Sequence, residues 1–135
     1  MNTSRIKKDS RRGAAAVEFA LTLPVLLLLL FGGYELTRAN MILHTCEAAA
    51  YEGCRVGIVP GATLAEVEAE TNRVLGTINI RNATVTVDPN NLETDTDSLD
   101  VTVEVSFADN SLFVPRFMGT EPFIRTCRLA RESAD

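Results

Sequence analysis

Few residues in this sequence could do chemistry, and the most unusual is a carboxylate inside an apolar run. Residues 14–34 contain a single charged side chain, that of Glu18. A carboxylate costs on the order of 3 kcal/mol at the centre of a bilayer, and less near its surface. Glu18 therefore needs a partner, or it must reach the membrane surface at the start of a helix, where the helix dipole also favours it.

Cleavage of the chain just before this run would create such a partner. Residues 11–19 read RRGAAAVEF. This segment resembles a prepilin signal, with Gly13 at position −1, Glu18 at +5 and the aromatic Phe19 at +6. A glycine suits a scissile bond because it has no side chain and readily adopts extended backbone. The resemblance implies cleavage between Gly13 and Ala14 by a prepilin peptidase, and the new amine of Ala14 would pair with Glu18.

The apolar run is long enough to cross a membrane, and the charges around it predict an orientation. A helix over residues 14–34 is roughly 30 Å long, which matches a bilayer core. Residues 1–13 carry five basic side chains against one acid, a net charge of +4, whereas residues 35–135 carry eight arginines against sixteen acids, a net charge of −8. Short basic flanks stay in the cytoplasm, so we expect the N-terminus inside and an acidic domain outside the cytoplasmic membrane.

An ordinary secretory signal peptide fits this segment less well. Such peptides have an apolar core of about 7–15 residues followed by a small-residue cleavage site. Here the core is longer, and the small residues 14–16 precede it. We therefore expect the helix to remain in the mature protein.

The three cysteines leave more than one arrangement open. An extracytoplasmic domain permits a disulfide. Cys46 and Cys54 are about 12 Å apart if they share one helix, which is too far to bridge, so an intramolecular bond would have to use Cys127. The pair Cys54–Cys127, with Cys46 free, is the favoured prediction. The alternative is three small buried thiols.

The N-terminal third resembles the TadE-like family. The resemblance is carried by the segment from Arg11 through the apolar run to Leu36, and by the alanine-rich residues 48–57, AAAYEGCRVG. Cys54 stands where that family has alanine. The resemblance implies a minor pilin or pseudopilin of a tight-adherence (Flp-type) pilus, packed against other pilin subunits through its N-terminal helix.

The remaining sequence predicts a small α+β domain. The first helix should continue to about Arg55, with one face packed on the domain, and that face is formed by Leu36, Met41, Leu43, Cys46, Ala50 and Cys54. Thr63 and Glu66 have the spacing of a capping box for a second helix that ends near Gly76. Alternating residues predict strands over 83–88, 99–107 and 123–129.

The expected architecture is therefore pilin-like: a long transmembrane and stem helix, one short helix and a three-stranded antiparallel sheet. The expected divisions are a basic leader (1–13), a transmembrane helix (14–34), a helical stem (35–57) and an extracytoplasmic domain (58–135).

No catalytic or cofactor-binding pattern is evident. His44 is the single histidine and has no metal or triad partner in the sequence. The acidic loop 93–100 could coordinate calcium, but it lacks the glycine and distal glutamate of an EF-hand, and a solvated hairpin loop is the favoured interpretation. The negative domain argues against nucleic acid as a partner. We therefore expect that the protein is not an enzyme and that it binds no metal, cofactor or small-molecule substrate.

Two functions remain after these exclusions. The first is a structural pilus component, processed after Gly13 and assembled through its helix. The second is an uncleaved single-pass protein that presents a binding module unrelated to pili, in which case the spacing of Gly13 and Glu18 is coincidental.

Overall fold

The fold is α+β, as predicted. The computed structural model describes residues 3–92, 97–119 and 121–131, with side chains described from Arg12 onward. The elements in chain order are α1 (Thr3–Gly57), α2 (Leu64–Gly76), β1 (Ala83–Asp88), β2 (Ser98–Val105), α3 (Phe107–Asn110) and β3 (Phe123–Ala130). The strand predicted over 99–107 ends at Val105, and Phe107 instead begins the single-turn helix α3, which was not predicted.

The chain divides into two compact units, Met1–Tyr34 and Glu35–Asp135. The described part of the first unit is one helix, the N-terminal part of α1. This helix continues through Pro24, although proline removes one backbone hydrogen bond. Among the described residues, α1 is the one helix long and apolar enough to cross a membrane.

In the second unit, a three-stranded antiparallel sheet has the strand order β1-β2-β3. The central strand β2 follows the predicted alternation, and its inward side chains, together with Phe107 just beyond it, are at most 1% exposed: Leu99, Val101, Val103, Val105 and Phe107. Full burial of a side chain of this size contributes about 1.5–3 kcal/mol. The alternation of β2 therefore sets which face of the sheet forms the core.

Helix α2 begins at the predicted capping box. The Thr63 hydroxyl accepts the backbone N–H of Glu66 at 3.3 Å, and the Glu66 carboxylate accepts the backbone N–H of Thr63 at 2.8 Å. The buried residues of α2 are Val67, Thr71 and Leu75, spaced so that they share one face. This face joins the core formed by the sheet and the stem part of α1.

The predicted packing face of the stem is partly wrong. Leu36 is 58% exposed and Met41 is 44% exposed. Apart from Glu35, the buried residues of the stem are mostly small, namely Ala39, Ile42, Cys46, Ala49, Ala50, Gly53, Cys54 and Gly57. The sheet lies so close to the stem that small residues fit there better than long side chains.

Candidate functional sites along the first helix

The predicted processing site lies in the exposed, helical part of α1. Gly13, Ala14, Glu18 and Phe19 are all helical and exposed. Outside the adjacent turns of its own helix, no described atom lies within 4 Å of the position that a Cβ of Gly13 would occupy. Ala14 and Glu18 are four residues apart and therefore neighbours on one helix face. A carboxylate at this position would lie within reach of an amine at Ala14 of the same chain.

The apolar side chains on both sides of Glu18 are exposed. The large ones, from 42% to 71% exposed, are Val17, Phe19, Leu21, Val25, Leu26, Leu27, Leu28, Leu29, Leu30 and Phe31. A helix that is apolar on all sides is stable when lipid or other helices surround it. This part of α1 is therefore suited by its length and composition to crossing a membrane.

A second carboxylate, Glu35, was not singled out from the sequence. Glu35 is 4% exposed. Its carboxylate accepts hydrogen bonds from three backbone N–H groups, those of Arg116 at 2.8 Å, Phe117 at 2.9 Å and Met118 at 3.3 Å. These bonds, with that from Phe117 the largest cause, hold the pKa of Glu35 below its ordinary value. Glu35 thus attaches the loop that follows α3 to the start of the stem.

The same loop is fixed at its other end by Asn110. The Arg38 guanidinium donates to the Asn110 carbonyl at 3.0 Å. The Asn110 side chain accepts the backbone N–H of Arg81 at 2.7 Å and donates to the carbonyls of Arg81 and Ser106, each at 2.9 Å. Asn110 is 7% exposed, so these bonds satisfy polar groups that water scarcely reaches.

Gly53 and Gly57 lie where the stem comes closest to its neighbours. A Cβ at Gly53 would overlap the Thr71 hydroxyl oxygen, and a Cβ at Gly57 would overlap a methyl group of Leu99 and lie 2.9 Å from one of Val67. Both positions therefore require the absence of a side chain. This contact gives a physical reason for the small residues of the segment 48–57.

The two cysteines of the favoured disulfide lie beside each other. Cys54 Sγ donates to the Cys127 carbonyl oxygen at 3.1 Å, while all three cysteines are free thiols in this structure. Burial, followed by the side-chain hydrogen bond with Cys127, raises the pKa of Cys54 to about 12. Burial raises the pKa of Cys46 to about 11. The pairing of Cys54 with Cys127 remains a prediction.

The two described acidic residues of the loop 93–100 are at the surface, with Asp97 exposed and Asp100 paired with an arginine. In the acidic loop 93–100, residues 93–96 lie outside the described residues, and Asp100 forms an ion pair with Arg128. Within the described part of the chain, no group of three or more His, Cys, Asp or Glu residues could hold a metal ion. His44 lies 3.9 Å from the Glu47 carboxylate on the exposed side of the stem.

The family model for TadE-like proteins matches residues 13–55, about a third of the chain. The match confirms the predicted resemblance. It begins at Gly13, contains Glu18, the apolar run and Glu35, and ends two residues after Gly53. No curated protein and no solved structure matches the chain significantly. The TadE-like segment points to a protein associated with a tight-adherence pilus.

Proposed function

We propose that this TadE-like chain is a minor pilin or pseudopilin of a tight-adherence (Flp-type) pilus. In this proposal a prepilin peptidase cleaves after Gly13, and the mature chain begins at Ala14 with its apolar helix intact. That helix then packs among the helices of other pilin subunits. The role is structural and not catalytic.

The single observation that carries the proposal is the TadE-like match that begins at Gly13. The apolar helix that follows supports it, because its side chains are exposed and need a cover of lipid or helices. The charge difference between residues 1–13 and 35–135 supports a single-pass topology in the bacterial cytoplasmic membrane, with the folded domain outside.

Glu18 has a defined task in this proposal. It is the one carboxylate in the apolar stretch 14–34, and removing it from water is costly unless a cation pairs with it. The amine of Ala14, freed by cleavage, is that cation. When the amine belongs to a neighbouring subunit, the pair selects the axial position at which one helix packs on the next.

Substitution of Glu18 tests this task. Glu18→Gln keeps the shape of the side chain and removes its charge. We expect the amount of protein in sheared pili to fall at least about tenfold, equivalent to about 1.4 kcal/mol of lost pairing, while the amount in membranes is unchanged. The matched control is Glu47→Gln, a carboxylate that is 70% exposed on the stem, which should assemble as the wild type does.

Normal incorporation of the Glu18→Gln variant would remove the charge pair from the mechanism. Loss of the Glu18→Gln variant from membranes, before any assembly, would show a role in insertion instead. Both results are read from the same two fractions by immunoblotting.

A further inference from the structure

The loop between α3 and β3 exposes an unusual amount of apolar surface. Leu112 is 77% exposed, Val114 is 81% exposed and Phe117 is 57% exposed, and Phe113 between them is 51% exposed. We refer to residues 112–118 as the apolar loop. Soluble domains rarely expose contiguous apolar side chains unless something covers them. Exposed apolar residues this close together therefore indicate an interaction surface.

Two sets of hydrogen bonds determine where this loop lies. The Glu35 carboxylate holds the backbone of residues 116–118, and the Arg38 guanidinium holds the Asn110 carbonyl just before the loop. Glu35 and Arg38 are one turn apart at the start of the stem. Glu35 is also the first residue after the predicted transmembrane stretch 14–34. Both ends of the loop are therefore held by residues that follow the predicted transmembrane stretch directly in the sequence.

The charge of the loop suits the same location. Arg116 is the single charged residue between 111 and 119. A basic side chain among exposed apolar and aromatic ones is the composition that binds the boundary between lipid headgroups and acyl chains. The negative charge of Glu35 does not argue against this location, because its carboxylate is already bound by three backbone N–H groups.

We propose that the apolar loop inserts into the outer surface of the same membrane that the first helix spans, with Leu112, Val114 and Phe117 in the acyl boundary and Arg116 at the lipid phosphates. The loop is then a second, peripheral membrane contact that keeps the folded domain close to the bilayer before assembly. This inference rests on the proposed membrane insertion and adds a lipid-binding surface to it.

Single-tryptophan variants test the proposal directly, because the natural sequence contains no tryptophan. Leu112→Trp and Phe117→Trp place the probe in the loop. Leu28→Trp places it in the transmembrane stretch. Val59→Trp is the matched exposed control, since Val59 is 55% exposed and follows the far end of the stem, roughly 30 Å of helix beyond Glu35.

The full-length variants are reconstituted at low protein density into phospholipid vesicles whose acyl chains are brominated near the headgroup. Bromine quenches a tryptophan that touches it. We expect the emission of Leu112→Trp and Phe117→Trp to fall to about half and to shift to the blue, as for a side chain at the lipid boundary. Val59→Trp should keep its emission. Protection of the buried thiols Cys46 and Cys54 from alkylation confirms that each variant is folded.

The arms of this experiment separate the two proposals. Quenching of Leu28→Trp without quenching of either loop variant would overturn the apolar loop as a membrane contact and leave membrane insertion intact. Absence of quenching at Leu28→Trp would overturn membrane insertion, and the inference with it. The emission of the loop variants could instead shift to the blue as protein density rises, without quenching by bromine. That result would assign the surface to a second copy of this chain and would also contradict the proposal.

Discussion

The Glu35 carboxylate accepts the backbone N–H of Phe117 at 2.9 Å and so joins the first turn of the stem to a loop 82 residues later in the chain. The bond lies at one end of the folded unit. At the other end of the stem, Gly53 and Gly57 allow the helix to approach α2 and the sheet. The stem is thus held to the domain at both ends, by a carboxylate at one and by close packing at the other.

The Glu35 contact predicts a pH dependence of stability. Its pKa in the folded protein is lowered by the backbone hydrogen bonds, above all that from Phe117, below the ordinary value of 4.5. The unfolded chain therefore binds the proton more readily, so the stabilisation from this group is complete above about pH 4.5 and is lost as the pH falls through the lower, folded pKa. Glu35→Gln should lower the thermal midpoint at pH 7, and the difference from wild type should shrink in acid.

Midpoints of the full chain in detergent, measured between pH 7 and pH 3, check this prediction. Glu66, Glu70 and Asp100 also have lowered pKa values, so both proteins lose stability in acid, and the informative quantity is the difference between them. Glu68→Gln, at an exposed position, is the control. A wild-type advantage that stays constant down to pH 3 would contradict the account of Glu35.

The close approach of the stem predicts that Gly53→Ala is destabilising. The added Cβ would overlap the hydroxyl of Thr71, which is buried and donates to the Val67 carbonyl at 2.8 Å and so cannot move freely. Overpacking of this kind costs about 1–3 kcal/mol. The reactivity of the buried thiol of Cys46 as a function of urea concentration reports the free energy of unfolding.

Gly76→Ala is the matched control, because the added Cβ has no described atom within 4 Å outside the adjacent turns of its own helix. It should leave the unfolding midpoint unchanged or raise it slightly, since alanine favours helix over glycine. Equal midpoints for Gly53→Ala and Gly76→Ala would show that the stem and α2 are not in close contact.

The neighbouring thiols predict one specific disulfide in protein exported to an oxidising compartment. Cys54 Sγ lies 3.1 Å from the Cys127 carbonyl oxygen, and a bond between these residues would close a long loop, with a stabilisation of about 2–4 kcal/mol. Non-reducing peptide mapping should find Cys54 linked to Cys127 and Cys46 free. Cys127→Ser should abolish the link, and Cys46→Ser should not affect it. A link through Cys46, or none, would refute the pairing.

Much of the fold could be predicted because its signals are local. The capping box of α2 requires only Thr63 and Glu66, three residues apart. The strand β2 shows its buried face in its own alternation. The apolar run within α1 is evident from length and composition alone.

The contacts of the stem could not be predicted in the same way. Leu36 and Met41 were expected to be buried because their spacing along the helix matched the predicted packing face, yet the stem packs through small residues such as Ala39 and Gly53, whose burial depends on the distance to the sheet. The burial of Glu35 depends on backbone groups 81–83 residues away, and no local pattern reports them. The proximity of Cys54 to Cys127 is likewise a result of β3 lying beside β2.

The position of the mature N-terminus tests the central claim most directly. The chain is isolated from membranes of cells with an active prepilin peptidase, and its N-terminal peptide is identified by mass spectrometry. The account predicts a chain that begins at Ala14, and a Gly13→Leu variant that keeps Met1, because a bulky side chain obstructs the scissile bond. A wild-type chain that begins at Met1 under the same conditions would contradict it.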